Sequence, residues 1–326
     1  MRSSGRRNLG RWLIASGLGA MLSPARAQAF PTHPVRLIVP YPPGGAVDPI
    51  ARTLADKLSE AWGQPVVVDN KPGAGTIIGT QIVAKAAPDG HTVILASSNH
   101  AVNPAMYASL PYDPVKDFAP IGLVSIIPLM LSVNPGLPVE SQQQLIDYLK
   151  ARPGSLNFSS AGNGSTTHLA GELFKSMAGV DMRHIPYKGS GPSVLATIAG
   201  EAMVVFDSVF LQMPQVRAGK LRALSVTGTK RSALAPEIPT ASEAGLPGFE
   251  AYSWVGLLAP AGTPQGIIRK WEAETMRILR LPDVGERQTS QGVEPVGSTS
   301  EYFSTFIRTE IAKWGKVVKD AGIKIE

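Results

Sequence analysis

Short runs of aliphatic residues recur along this chain, and each ends in a glycine-, proline- or hydroxyl-rich segment that opens a helical pattern. Val35-Arg36-Leu37-Ile38-Val39 runs into Pro40-Tyr41-Pro42-Pro43-Gly44-Gly45. Asp48 is placed to cap the next helix, with Pro49 at its first position and Ile50, Leu54 and Leu58 as its apolar stripe. Residues 65–69 read as a second strand, followed by Asn70-Lys71-Pro72-Gly73-Ala74-Gly75 and a helix through Ile78, Ile82 and Ala86. A third strand at 92–96 ends in the polar loop Ser97-Ser98-Asn99-His100. Strands alternating with helices in this way form parallel sheets flanked by helices, and ligands collect beyond the carboxyl ends of the strands.

The rhythm resumes at Leu156-Asn157-Phe158, followed by the loop 159–167 and a helix with Leu169, Leu173 and Met177 on one face. Further strands are expected at 182–185, 203–206 and 221–226, with helices near 192–199 and 208–218, giving a second lobe of the same α/β class. After 254–258 come two long helical patterns, the last with Phe303, Ile307, Ile311, Trp314 and Val318 at core-facing spacing. A length of 326 residues suits two such lobes.

Charge is unevenly placed. Lys and Arg number 31 against 25 Asp and Glu, but five arginines (Arg2, Arg6, Arg7, Arg11, Arg26) lie in the first 27 residues, which hold no acid. Without those five, 26 bases face 25 acids, so the basic balance belongs to a leader and gives no support for nucleic-acid binding. Residues 12–22 are apolar and precede Pro24 and Ala25-Arg26-Ala27, the order of a signal peptide over residues 1–27, cleaved before Gln28. Arg6-Arg7 partly resembles a twin-arginine signal. The apolar stretch 123–133 is too short to span a bilayer and contains Pro128.

The 159–167 loop carries the strongest chemical signal. Its small and hydroxyl-bearing residues open a helix whose first N–H groups are free, and no acid follows until Glu172. Such a terminus stabilises a carboxylate or phosphate, while Ser165 or Thr166 also suits a simple cap. Residues 42–46 form a rigid turn that could aim N–H groups outward. Asp207 either accepts from a ligand donor or holds a loop, Tyr41 and Tyr187 either wall a pocket or pack, and His168 either reaches the ligand or packs beneath the loop.

Catalytic and metal constellations are missing. The chain has no cysteine, and no serine has glycine at both −2 and +2. His33, His91, His100, His168 and His184 show no metal-ligand spacing. Gly73-Ala74-Gly75 with Gly79 gives a weak dinucleotide pattern, but Asp89 lies in a turn before the next strand, not at its end. An exported NAD(P)-dependent oxidoreductase is therefore the alternative reading.

Taken in order, these loops resemble those of the substrate-binding proteins of tripartite tricarboxylate transporters, the Bug-type periplasmic receptors. The matching stretches are 34–48, 70–75, Pro111-Tyr112-Asp113-Pro114, 160–165 with 168–172, Pro186-Tyr187-Lys188-Gly189, Pro239-Thr240 with Glu243-Ala244-Gly245, and 256–260. The resemblance implies a two-lobed periplasmic-binding-protein architecture in which each lobe is a mostly parallel sheet flanked by helices. It divides the chain into residues 30–127 plus 252–326 and residues 128–251. It implies a non-enzymatic receptor that captures a small organic acid without a cofactor and passes it to membrane permease subunits. The expected state is a periplasmic monomer.

Carried onto this sequence, the resemblance makes Tyr41, Pro43, Gly44, Gly45, Ala46, Asp48, Ser98 and Asn99 the contacts of the first lobe. Ala161, Asn163, Gly164, Ser165, Thr166, His168, Tyr187 and Asp207 are those of the second. Family members usually have Gly-Asn where this chain has Thr76-Ile77, which replaces a polar contact by an apolar one and favours an aromatic or aliphatic ligand body. No lysine or arginine lies in 41–48, 97–100 or 159–168, so neutral donors would hold the acid, with Lys71 and Lys188 the nearest cations and a mild salt dependence expected.

Overall fold

The computed structural model describes residues 30–44 and 47–323. The leader read at 1–27, and the expected contacts Gly45 and Ala46, lie outside the described residues. The first elements are β1 (Val35–Val39), α1 (Asp48–Trp62), β2 (Val66–Asn70), α2 (Ile77–Ala84), β3 (Thr92–Ser97), α3 (Asn99–Met106) and the long strand β4 (Phe118–Val133). Then come α4 (Gln142–Ala151), β5 (Asn157–Ser160), α5 (Thr166–Ala178), β6 (Arg183–Pro186), α6 (Ser190–Ala199), β7 (Val204–Ser208), α7 (Val209–Arg217) and β8 (Arg222–Val226). The chain closes with β9 (Tyr252–Pro260), α8 (Gln265–Leu279), α9 (Pro282–Thr289), the short β10 (Glu294–Pro295) and α10 (Ser300–Asp320).

Two parallel three-strand units form the α/β framework. β2, β1 and β3 pair in parallel, and so do β6, β5 and β7. Antiparallel strands complete both: β9 adds to β3, and β4 adds to β9 through Phe118–Pro128. The same β4 then continues through Leu129–Val133 to pair with β7, and β8 pairs with that end as well. A single strand thus threads both sheets, changing partner after Pro128. Residues 123–133 are apolar because β4 is buried on both faces for most of its length.

The expected apolar stripes are buried where they should be. Ile50, Leu54 and Leu58 of α1 lie under β1, and Phe303, Ile307, Trp314 and Val318 of α10 are buried against β4 and β9. Glu310 of α10 is buried too, and accepts the indole N–H groups of Trp254 (3.2 Å) and Trp314 (2.9 Å) while pairing with Lys313. Two local expectations change. The polar segment after β3 is not a loop, because α3 begins at Asn99. Asp48 is not the cap of α1: Val47 occupies that position, and Asp48 is the first helical residue.

Candidate ligand-binding site

A cleft of about 850 Å³ lies at the carboxyl ends of β1, β3, β5 and β7, lined from both sheets. From the first side come Tyr41, Pro43 and Gly44 of the β1–α1 loop and Asn99 at the start of α3. From the second come Ala161, Asn163, Gly164, Ser165 and Thr166 of the β5–α5 loop and Asp207 near the end of β7. Local geometry explains the sharp turns: Gly44 (φ +81°), Gly162 (+127°) and Gly164 (+72°) occupy backbone conformations that other residues rarely adopt.

The β5–α5 loop is built around its own donors and acceptors. Ser165 Oγ accepts the N–H of His168 at 3.2 Å and donates to the Gly162 carbonyl at 2.7 Å, so Ser165 both caps α5 and lines the cleft. Thr167 Oγ1 accepts the Ala161 N–H at 2.9 Å. The N–H groups of Asn163, Thr166 and Thr167 donate to none of the described residues. Three free donors at a helix start, with no acid in the first turn, make a positive patch facing the cleft.

On the other side, the Tyr41 hydroxyl lies 2.6 Å from Ser97 Oγ and donates to Asn99 Oδ1 at 3.2 Å. Burial pushes the Tyr41 phenol above its ordinary value, partly offset by Ser97. No lysine or arginine is among the lining residues. Lys71 is instead paired with Asp69 at 3.1 Å, and Lys188 is exposed and not among the lining residues.

Four expected contacts do not line the cleft. Asp48 has its carboxylate filled: Oδ2 accepts from Gly44 N–H (3.2 Å) and Arg52 Nε (2.8 Å), and Oδ1 from Asn70 Nδ2 (3.1 Å) and Arg52 (3.3 Å). The Arg52 hydrogen bonds, helped by Asn70 and Gly44, lower the pKa of its carboxyl from the usual carboxylate value despite burial. Asp48 therefore shapes the β1–α1 loop from behind. Ser98 is buried, accepts the Trp254 N–H at 2.9 Å, and ties α3 to β9. Tyr187 turns its hydroxyl to Glu201 at 3.2 Å. His168 lies beneath the loop, where its Nδ1 accepts the Gly164 N–H at 3.1 Å.

The apolar wall also differs from expectation. Thr76 and Ile77 do not line the cleft, and Ile77 packs against the core. The apolar lining comes from Val47, Val102, Met106, Ile127, Leu129 and Leu211, with the Tyr107 ring. Asn103, Thr167, Ser190, Ser208 and Ser253 add polar groups. The sequence holds a signal for part of this set: residues 123–133 are conspicuously apolar, but nothing local shows that Ile127 and Leu129 line a cleft. Met106 and Val102 depended on recognising α3 as a helix.

Among the described residues, His33, Asp89 and His91 place ligand atoms within 4.8 Å of one another, at the opposite end of β1 and β3 from the cleft. The two rings stack at 3.8 Å with 18° between planes; His91 Nε2 accepts the Thr32 N–H at 3.1 Å, while its Nδ1 lies 3.5 Å from Asp89 Oδ1.

Comparison with known proteins gives a consistent result. BugT of Bordetella pertussis is 38% identical over 320 residues, covering 98% of this chain and 97% of that protein. The structure of Rpa4515 from R. palustris with adipate matches with a TM-score of 0.76 and 38% identity, covering 91% of this chain and 100% of that one. MatC from Rhodopseudomonas palustris with bound malate matches with a TM-score of 0.72 and 33% identity, covering 89% and 100%. The sequence model of the Tripartite tricarboxylate transporter family receptor, TctC, matches residues 50–323. A helix start left open to a two-sided cleft, and similarity along nearly the whole length, thus lead to one conclusion: this chain belongs to the TctC family of periplasmic solute-binding proteins.

Proposed function

We propose that this protein captures a small carboxylate-containing metabolite between two lobes in the periplasm and delivers it to the permease subunits of a tripartite transporter, as a monomer and without chemistry on the ligand. The observation that supports this reading most is the β5–α5 loop: three N–H groups at and just before a helix start donate to none of the described residues, in a loop that lines a cleft with no lysine or arginine among its described lining residues. Hydrogen bonds to a charged group contribute roughly 1.5–3 kcal/mol each. Four or five of them, less the cost of ordering, reach the ~8 kcal/mol of a micromolar complex. The relatives that hold adipate and malate point to the same ligand class.

The proposed lobes are residues 30–127 with 252–326, and residues 128–251. The change of β4 partner between Pro128 and Leu129 supports this division, since rotation about that point would open the cleft while leaving both sheets intact. Ligand affinity then belongs to the closed state, in which both loops reach the acid.

A thermal-shift screen of organic acids tests the proposal. A ligand at one hundred times its dissociation constant stabilises by ~2.7 kcal/mol, a clear rise in melting temperature. No rise with any acid rejects it. The alternative, a nicotinamide enzyme using the Gly73–Gly79 segment, predicts a stoichiometric NAD(P)H fluorescence change, and the receptor reading predicts none.

A further inference from the structure

We infer that the ligand carries, besides its carboxylate, a hydrogen-bond donor that docks on Asp207, so that the acids selected are hydroxy- or amino-bearing ones. This inference rests on the carboxylate reading above and adds a second anchoring point to it.

Asp207 is held firmly. Its backbone pairs with Met130 of β4, its carbonyl accepts from Gln212 Nε2 at 2.9 Å, and only 1% of the residue is exposed. The two carboxyl oxygens are treated differently. Oδ1 accepts the Ser208 N–H at 2.7 Å, whereas Oδ2 is buried and makes no well-formed hydrogen bond, the nearby Ser190 hydroxyl acting on the carboxyl more weakly than Ser208 does. The residue lines the cleft beside Leu129 and Leu211, and none of the lining residues is a lysine or arginine that could pair with it.

A buried carboxylate oxygen left without a partner is strongly unfavourable, and such groups in folded proteins normally have one. Asp207 is one of the cleft-lining residues, so a ligand group that presses into this end of the cleft is the partner that Oδ2 lacks. Burial pushes the carboxyl up to about 6, against the pull of the Ser208 N–H and the neighbouring Ser190 hydroxyl. Near pH 8 the group is therefore an ionised acceptor that repels a bare second carboxylate and welcomes a hydroxyl or ammonium group. Together with the N–H groups of α5, it gives the cleft one end that takes an anion and one that takes a donor.

Calorimetric titration of the purified protein near pH 8 tests this with acids matched apart from the donor. Malate against succinate and mandelate against phenylacetate form the hydroxyl arm, and aspartate against succinate the amine arm. The donor-bearing member of at least one pair should bind about tenfold tighter or more, and the pair that shows it distinguishes hydroxyl from amine. Asp207→Leu should erase that preference in a protein that still melts cooperatively. If that variant does not fold, Asp207→Asn, which removes the charge and keeps the size, should reduce the preference at least about threefold. Equal binding of both members in every pair overturns this inference and leaves the carboxylate reading in place. If none of these acids binds, the pair is built on the best acid of the thermal-shift screen with and without its donor, equal binding again overturning this inference, and only the absence of any binding acid overturns both.

Discussion

His168 and His184 stack face to face beneath the β5–α5 loop, with 3.7 Å between ring centroids and 9° between planes. His168 Nδ1 must be unprotonated, because it accepts the Gly164 N–H, and His184 Nε2 lies 2.6 Å from Ser160 Oγ. The loop that supplies the anion-binding donors is thus supported by two neutral imidazoles. A proton on His168 Nδ1 would meet an N–H head on and push Gly164 away.

Stability should accordingly fall in acid. Burial, with neighbouring positive charge, lowers His168 to about 3 and His184 to about 4 from 6.5, and burial lowers His100 to about 4. Below pH 6.5 the unfolded chain takes up protons that the folded one refuses, so stability present above that pH is lost as it falls, at about 1.4 kcal/mol per pH unit for each histidine. Asp207 opposes this: raised from 3.8 to about 6, it penalises the fold fully above pH 6 and is relieved as pH drops toward 3.8. Three groups outweigh one. The urea midpoint should drop between about pH 7 and about pH 5, and His184→Gln should make that drop smaller. An unchanged pH slope in the variant would count against the neutral pair.

Asp48 gives a second test, because it does not line the cleft and its carboxylate is taken up by Gly44, Arg52 and Asn70. Asp48→Asn removes the charge that Gly44, Asn70 and Arg52 share, with an expected cost of about 1–3 kcal/mol in urea unfolding and a weaker ligand affinity. Arg52→Leu should cost less than about 1 kcal/mol, since the Arg52 side chain is 52% exposed. Equal losses in the two variants would mean that the ion pair, and not the loop tie, matters.

Those residues also show what a sequence can and cannot carry. Val35–Val39 and its counterparts were legible as strands because a buried parallel strand writes itself as a local apolar run. The antiparallel partners β4 and β9 were not assigned to any sheet, because pairing between residues more than a hundred positions apart leaves no local mark. Ten of the expected contacts line the cleft because they follow strand ends, where topology concentrates ligands. That Asp48 and His168 do not line the cleft is hidden in the sequence for a common reason: a polar residue beside a loop looks the same in sequence whether it faces the cleft or holds the loop from behind. The apolar wall depended on the three-dimensional approach of α3 and β4.

Gly171 sets how closely α5 approaches its sheet. A Cβ there would lie 2.2 Å from Phe158 Cε2, and Phe158 is wholly buried. Gly171→Ala should therefore destabilise by about 1–3 kcal/mol and, by lifting α5, weaken ligand binding. Gly191→Ala is the control: in α6 its Cβ meets nothing within 4 Å, so stability should be unchanged or rise by up to about 1 kcal/mol. Equal behaviour of the two would show that α5 is not held by this contact.

Ser165→Asp separates the binding role of the α5 start from its folding role. Aspartate caps a helix about as well as serine, and its charge suits a helix N-terminus, so the capping bond to the His168 N–H survives and the melting temperature should stay within a few degrees. The new carboxylate, however, sits beside the N–H groups of Asn163, Thr166 and Thr167 and competes for the donors that an acid ligand needs. Affinity for the best acid from the thermal-shift screen should fall by about thirtyfold or more, whereas Ser165→Ala, which loses the cap, should cost about 1 kcal/mol of stability with a smaller loss of affinity. Wild-type affinity should also change less than about threefold between low and physiological salt, because no mobile basic side chain lines the cleft. Unchanged affinity in Ser165→Asp would remove this helix start from the site, and a steep salt dependence would mean that a lysine or arginine holds the acid instead.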